Sequence, residues 1–529
     1  MPSPDVPSLP FADRAWNALA NAGDFAMGLA TPTLRLGVTG LSRAGKTVFI
    51  TALVHNLVHG GRLPLFEAVA RGRLAKATLE PQPDDAVPRF AIEDHVATLV
   101  DERLWPHSTR QVSELRLTLD FESSSLFART FGRGRLHLDI VDYPGEWLLD
   151  LPLLNKSFAE WSAETLSRAE TGPHAGLAAA WLEATRAVDP AAPEDETTAR
   201  RLAALFTDYL RAARADEHAL STLPPGRFLM PGDLEGSPAL TFAPLDLAGR
   251  EPPPKSLAAM MARRYESYKD KVVRPFFRDH FSRLDRQIVL VDALQALNAG
   301  AEAVADLRDA LTGILACFRP GRTSWLASIL TRRIDRIVFA ATKADHLHRT
   351  SHDRLEKILR RLVADAMARA TFAGAEVDVV ALAAVRATRE AMVDHDGEKL
   401  PAILGAPLPG ETLDGEKLDP NAEFALFPGD LPEDPESLFP PAAKLREAVD
   451  SSPEVRANSD SRSTASPRSA DSRPEVSPPE SESEHEEPVV EFVRFRPPRL
   501  EKTAEGFTLS LPHIRLDRTL EFLLGDRLT

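Results

Sequence analysis

Cysteine is nearly missing from this chain: Cys317 is the single one in 529 residues. One cysteine excludes an internal disulfide framework and fits a reducing compartment. Long apolar runs are missing too. No stretch of about 18 apolar residues occurs, so no membrane-spanning helix is expected. The N-terminus, MPSPDVPSLPFADRAW, lacks the basic-then-apolar layout of a signal peptide. Nor is there an excess of positive charge. Lys and Arg number 63 against 78 Asp and Glu, a formal net charge of -15. That balance argues against a broad nucleic-acid surface and leaves room for a local basic patch. These absences lead us to expect a soluble, cytoplasmic protein.

What is present is enough apolar material for real cores, 43% of residues, and a length that implies roughly two to four structural units. Residues 11–29 read as a helix with a loose apolar face, placed in an N-terminal unit of residues 1–30. LRLGVTG (34–40) reads as a strand. VFITALVHNLVHG reads as a helix ending at Gly60-Gly61. LRLTLDF (115–121) and RLHLDIVD (135–142) alternate with period two, as strands do, and FGRGR before the second suggests a hairpin. The roughly 50 residues between the first helix and these strands read as an insertion. From about 153 to 280 the pattern turns helical, broken by Pro-rich joints at 223–238 and 251–255. RQIVLVDALQAL, DRIVFAATKAD and AEVDVVALAAV then repeat a strand-then-loop pattern. Strands alternating with helices imply an α/β fold with a mainly parallel sheet covered on both faces.

The expected division is a first core segment at 31–150, an inserted helical domain at 151–283 and a second core segment at 284–449. Residues 450–488 are dense in Ser, Pro, Glu and Arg and nearly lack large apolar residues. Such a segment buries too little surface to offset its ordering entropy, so it is expected to be disordered and acidic. Residues 489–529 are expected to return to the folded body.

Residues 40–47 read GLSRAGKT, which matches G-x-x-x-x-G-K-[ST] between a strand and a helix. Gly40 and Gly45 permit the backbone to wrap a phosphate in its amides, and the first helical turn adds further N–H groups. Lys46 supplies a charge to the β- and γ-phosphates and Thr47 a hydroxyl for Mg²⁺. A second Mg²⁺-side carboxylate is available in Asp142, at the end of an apolar strand, where Asp142-Tyr143-Pro144-Gly145 makes D-x-x-G. The Gly145 amide can then report the γ-phosphate. Asp139 reads as a structural carboxylate. Glu146 occupies the slot where small GTPases carry a water-orienting Gln. It is a catalytic base or a supporting residue, and its charge puts the rate of hydrolysis in question rather than binding.

WPHSTR (105–110) falls where a first switch belongs. Thr109 is the candidate for Mg²⁺ coordination, with Ser108 beside it and Trp105 as a cover. Arg110 is either an in-chain arginine finger or the partner of a carboxylate. Thr342-Lys343-Ala344-Asp345 follows the strand RIVFAA and matches [NT]-K-x-D. Asp345 can accept hydrogen bonds from guanine N1–H and N2, the Lys343 stem can lie over the base, and Thr342 should hold the turn. His346 either flanks the base or is exposed. Ala384 and Val385 follow a later strand and would contact the base through their backbones.

GLSRAGKTVFITALVHNL, the DYPGEWLLDLPLL run, PGRFLMPGDLEGSPAL, RRYESYKDKVVRPFFRDHF, DRQIVLVDALQALNAG and LPHIRLDRTLEFLLGDRL together resemble the bacterial YcjX family of P-loop NTPases. The resemblance runs from about residue 11 to the end and fails over 450–488. It implies a stress-associated GTP-binding protein with a Ras-like core and an added helical domain. It also implies a gene neighbourhood shared with a membrane protein, hence a membrane-bound partner and peripheral association with the inner membrane. The family's nucleotide contacts would fall on Ser42, Arg43, Ala44, Gly45, Lys46, Thr47 and Val48, on Trp105, Ser108, Thr109 and Arg110, and on Lys343, Asp345 and His346. The expected ligands are GTP or GDP with Mg²⁺, and the expected activity a slow GTPase switch. A nucleotide-dependent scaffold with negligible hydrolysis and an ATPase or small-molecule kinase are the alternatives.

Overall fold

The computed structural model describes residues 31–41, 43–82, 84–107, 111–123, 134–171, 175–214, 223–280, 283–316, 334–395, 398–413, 415–438, 493–500 and 510–529. The expected N-terminal helix, Ser42, Ser108, Thr109, Arg110, Cys317 and the acidic 450–488 segment lie outside these residues.

Strands β1 (Thr33–Gly40), β2 (Leu74–Glu80), β3 (Ser113–Phe121), β4 (Gly134–Asp142), β5 (Arg286–Val291), β6 (Arg336–Ala341) and β7 (Glu376–Ala381) form one sheet in the order β2-β3-β4-β1-β5-β6-β7. From β4 to β7 every neighbouring pair is parallel. β5 (RQIVLV) and β6 (RIVFAA) are near-continuous apolar runs and almost wholly buried, as strands covered on both faces must be. The β2–β3 and β3–β4 pairs are antiparallel.

The stretch read as an insertion after the first helix is therefore part of the sheet, because it contributes edge strand β2. Its sequence LAKATLE hid the alternation: on an edge strand only Ala77 is buried, so no apolar period was required.

One face of the sheet carries helix α1 (Lys46–Val58) in a core that also takes Leu516, Leu520, Leu523 and Leu524. The opposite face is covered by the chain between β4 and β5, by the helix Ala301–Ala316 and by the helix His352–Leu362. The β4–β5 connection begins as a 3₁₀ segment, Gly145–Asn155, and continues through helices α2 (Phe158–Thr171), α3 (Ala175–Arg186), α4 (Glu196–Ala213) and α5 (Leu257–Tyr268). These pack around aromatic side chains: Trp161 stacks on Tyr265 at 5.1 Å and Trp181 on Tyr209 at 5.4 Å. Among the described residues no helix is long and apolar enough to cross a membrane.

One feature went unread in the sequence. Strands β8 (Arg389–His395) and β9 (Glu398–Gly405) pair antiparallel, and the short strand Phe424–Leu426 pairs with β9. The Asp396-Gly397 dipeptide between β8 and β9 is a hairpin signal that could have marked them. Residues 493–496 then run alongside 406–408, with Leu408 N donating to Arg494 O at 2.8 Å and Arg496 N to Ala406 O at 2.8 Å. This extended strap places Phe495 in a small core with Ile403 and Leu426.

Candidate nucleotide site

β1 delivers the chain into the 40–47 loop at the C-terminal edge of the parallel strands. The backbone there is left-handed at Arg43 (φ 62°) and Gly45 (φ 84°) before α1 begins. Lys46 and Thr47 open α1, and both are buried. Lys46 Nζ donates to Gly40 O at 2.9 Å and Leu41 O at 3.0 Å, which folds its ammonium back over the loop. Burial pushes that ammonium below its ordinary value, against the opposing pull of Glu146 and Asp142. Both carboxylates therefore lie within electrostatic reach of Lys46. Asp142 ends β4 directly beside β1, opposite Val38 in register. Asp139 makes a bidentate pair with Arg116 across β3 and β4, at 2.6 and 2.8 Å.

Gly145 sits hard against the loop. A Cβ there would lie 2.1 Å from Gly40 O and 2.7 Å from the Leu41 carbonyl carbon. Only glycine lets the two backbones approach this closely.

Glu146 is 4% exposed and ion-paired with Arg214, which caps the C-terminus of α4. Burial alone would raise the Glu146 carboxyl, but Arg214 and Lys46 outweigh it and hold the group below the usual carboxylate range. Arg214 also acts electrostatically on Arg43 and Lys46. An arginine from the helical connection thus stands at the phosphate loop. The sequence pattern around it marks only an amphipathic helix, with nothing to single it out.

At the other end of the site, Lys343 is left-handed (φ 59°) and its Nζ pairs with Asp292 at 2.5 Å. Asp345 is buried, and its Oδ2 accepts from Ala387 N at 2.8 Å. Thr342 Oγ1 donates to Val291 O at 3.3 Å, tying the turn to β5. The His346 ring lies edge-on to Phe495 at 5.5 Å, and burial lowers its pKa below the ordinary imidazole value. The amides of Ala383 and Arg386 bond to Ile514 O and Pro512 O, which fixes the Ala384-Val385 loop between them.

A cavity of about 260 Å³ joins the two ends. Arg43, Gly45, Lys46, Thr47 and Val48 line it on one side, and Lys343, Asp345, His346, Ala384 and Val385 on the other. Trp105 also lines it, held by a bond from Nε1 to Phe495 O at 2.7 Å. Gly40, Ala44, Asp142, Gly145 and Glu146 are not among its lining residues. The lining residues missed in the sequence include Leu408, Arg494 and Phe495. The alternating VRFR of the strap was the signal for Arg494 and Phe495, but it lies far along the chain from the phosphate-loop and T-K-x-D motifs.

A glycine loop between the first parallel strand and its helix, facing a second loop at the end of β6, defines an α/β P-loop nucleotide-binding protein with a helical addition. The YcjX-like family, DUF463, matches residues 34–528, and this chain belongs to that family of P-loop NTPases. It is 37% identical to the Ras-like GTPase YcjX of Escherichia coli K12, over 97% of this chain and 98% of that protein. It is 32% identical to the Ras-like GTPase YcjX of Shewanella oneidensis MR-1, over 94% of each.

Proposed function

We propose that the protein binds GTP and GDP with Mg²⁺ and hydrolyses GTP slowly, as a switch linked to its helical connection. The observation that carries this reading is the single cavity shared by Lys46 and Thr47 at one end and Lys343 and Asp345 at the other. Lys46 and the first amides of α1 meet the phosphates. Asp345 accepts from guanine N1–H and N2. Adenine offers neither donor there, and a buried carboxylate would be left without them. The GTPase names of the two relatives support guanine as the base.

The donors suit Mg²⁺. Thr47 offers a hydroxyl and Asp142 a carboxylate, both hard oxygen ligands and both buried. Among the described residues no three His, Cys, Asp or Glu side chains cluster into an all-protein cage, which fits an ion shared with phosphates. When bound, the ion neutralises charge on the phosphate oxygens. Thr109 is the further proposed ligand, with Ser108 and Arg110 beside it on the first-switch stretch.

Glu146 holds Arg214 against the loop, so Arg214 is positioned to offset charge that develops as water attacks in line. In this reading Glu146 is a positioning residue, since a carboxylate held ionised by two cations is a weak proton acceptor. The same fact favours a second reading, a nucleotide-dependent scaffold with negligible hydrolysis. Single-turnover phosphate release separates the two: release no faster than in buffer selects the scaffold.

Calorimetric titration with GTP, GDP and ATP, each with Mg²⁺, tests the main proposal. Guanine nucleotides should bind and ATP should bind at least about tenfold more weakly, a difference of about 1.4 kcal/mol. Lys46→Ala should weaken GTP binding by about a hundredfold or more. Equal affinity for ATP would remove the guanine assignment. No affinity for any triphosphate would remove the whole reading.

A further inference from the structure

A second cavity, of about 510 Å³, is lined in part by sequence neighbours of residues that line the nucleotide cavity, and its lining includes Arg103, Arg386, Arg389, Arg496 and Arg499 with one acidic residue, Glu423. This is an unusual surface for a chain with a net charge of -15. Like charges brought together repel unless something of opposite sign joins them.

The internal carboxylates answer only part of this charge. Arg389 pairs with Glu423 at 2.5 Å and Arg386 with Glu390 at 3.4 Å. Arg103, Arg496 and Arg499 form no ion pair among the described residues. Arg103 donates through Nε to Pro497 O at 3.1 Å, and Arg496 reaches Pro420 O at 3.4 Å, both neutral acceptors. Arg496 Nε is buried and meets no acceptor among the described residues. Burial lowers the Arg103 pKa, and the charges of Arg496 and Arg499 lower it further. These three guanidiniums line one cavity, and their planar forks pair bidentately with oxyanions, phosphate among them.

We propose that this cavity is a second anion site, taking a compact ligand with one or more phosphate groups. Among the described residues no aromatic side chain lines it, so none of them would stack on a base there. The ligand is a phosphorylated small molecule or headgroup rather than another nucleotide read by its base.

The position gives the site a consequence. Arg103 is two residues from Trp105, Arg386 follows Val385, and Arg496 follows Phe495. Trp105, Val385 and Phe495 all line the nucleotide cavity. A phosphate that draws these three arginines together fixes the segments that carry those neighbours. Coupling of this kind is reciprocal: nucleotide should tighten the anion site by the factor that the anion tightens nucleotide. This coupling rests on the nucleotide reading; the anion site itself does not.

The test uses the full chain with Lys46→Ala, which disables the phosphate loop, and inorganic pyrophosphate as the probe in calorimetry. Pyrophosphate should still bind. Arg103→Gln with Arg496→Gln should weaken it about tenfold or more, and Arg499→Gln by a smaller factor. Arg499 is exposed and makes no hydrogen bond among the described residues, so its variant reports on the site even if the double variant does not fold. Flotation with phosphatidylcholine vesicles, with and without phosphatidate, identifies the source. Vesicle binding lost in Arg499→Gln assigns a lipid headgroup, and pyrophosphate binding alone assigns a soluble phosphate. Failure of both probes on Lys46→Ala, or affinities unchanged in the arginine variants, would overturn the site. Failure of GTP to bind wild type would leave it standing.

Discussion

In the proposed switch, hydrolysis turns on the contact between Glu146 and Arg214. Glu146 follows the glycine of D-x-x-G, and Arg214 comes from the end of α4. If Arg214 neutralises developing charge, Arg214→Ala should lower single-turnover GTP hydrolysis by about a hundredfold or more. GDP affinity should stay within about threefold. Guanidinium ion in the buffer should restore part of the rate, which no purely structural role for Arg214 would allow.

Asp150 makes a different residue-scale prediction. Its carboxylate is buried and accepts from Gly226 N at 2.7 Å, Arg227 N at 3.3 Å and the Tyr268 hydroxyl at 2.6 Å. Burial raises its pKa to about 6, from 3.8, against the opposing pull of those donors. The folded state therefore holds this proton more tightly than the unfolded chain. The resulting stabilisation is full below the unfolded value and is lost as pH rises through about 6. Urea unfolding should show the stability of wild type relative to Asp150→Asn falling between pH 4 and 7, by at most about 3 kcal/mol. A flat difference would refute the titration.

At the scale of elements, the C-terminal helix α6 (Leu516–Leu524) closes one face of the sheet. Its leucines are fully buried against the α1 side. The segment before it is pinned by Asn56 of α1, whose Nδ2 donates to Leu511 O at 3.1 Å and whose Oδ1 accepts from Leu511 N at 2.9 Å. Asn56→Ala would leave both main-chain groups of Leu511 buried without these partners. Equilibrium unfolding should show a loss of about 2–4 kcal/mol. An effect under about 0.5 kcal/mol would mean that water replaces the amide. The strap at 493–496 acts at the same scale. It holds Phe495 beside His346, and Arg494 grips Glu411 at 2.7 Å.

At the scale of the molecule, the segment that follows Asp142 meets the 224–231 loop of the helical connection at a close backbone contact. A Cβ on Gly226 would lie 1.8 Å from Glu146 O. Close by, the Arg227 guanidinium stacks 3.2 Å from the Trp147 ring centre, and Trp147 Nε1 donates to Met230 O at 3.2 Å. Gly145 abuts the phosphate loop and Glu146 abuts Gly226, so a movement of Gly145 is expected to reach the 224–231 loop. Gly226→Val should separate the two bodies here. Trp fluorescence of wild type should change when GTP replaces GDP, and that change should be lost in the variant while GDP still binds. An unaltered response would show that the coupling runs elsewhere.

The phosphate loop, D-x-x-G and T-K-x-D were legible in the sequence because each is short and local. Their chemistry needs particular residue types at fixed spacing, and the alternation of strand and helix follows from apolar period alone. The parallel core was readable for the same reason: RQIVLV and RIVFAA must be buried on both faces. Edge strand β2 was not, because an edge needs no apolar face. Arg214 was not, because nothing near it in the chain signals its use, and Arg494 and Phe495 were not, because the VRFR alternation marks an extended segment without saying where it docks. Only the folded molecule carries an arginine from the helical connection to Glu146, or brings the strap at 493–496 beside residues 105 and 346. Local motifs are set by the conformations and chemistry of adjacent residues. Which distant segments complete them is set by how whole faces bury against each other, and that is decided only when the chain packs.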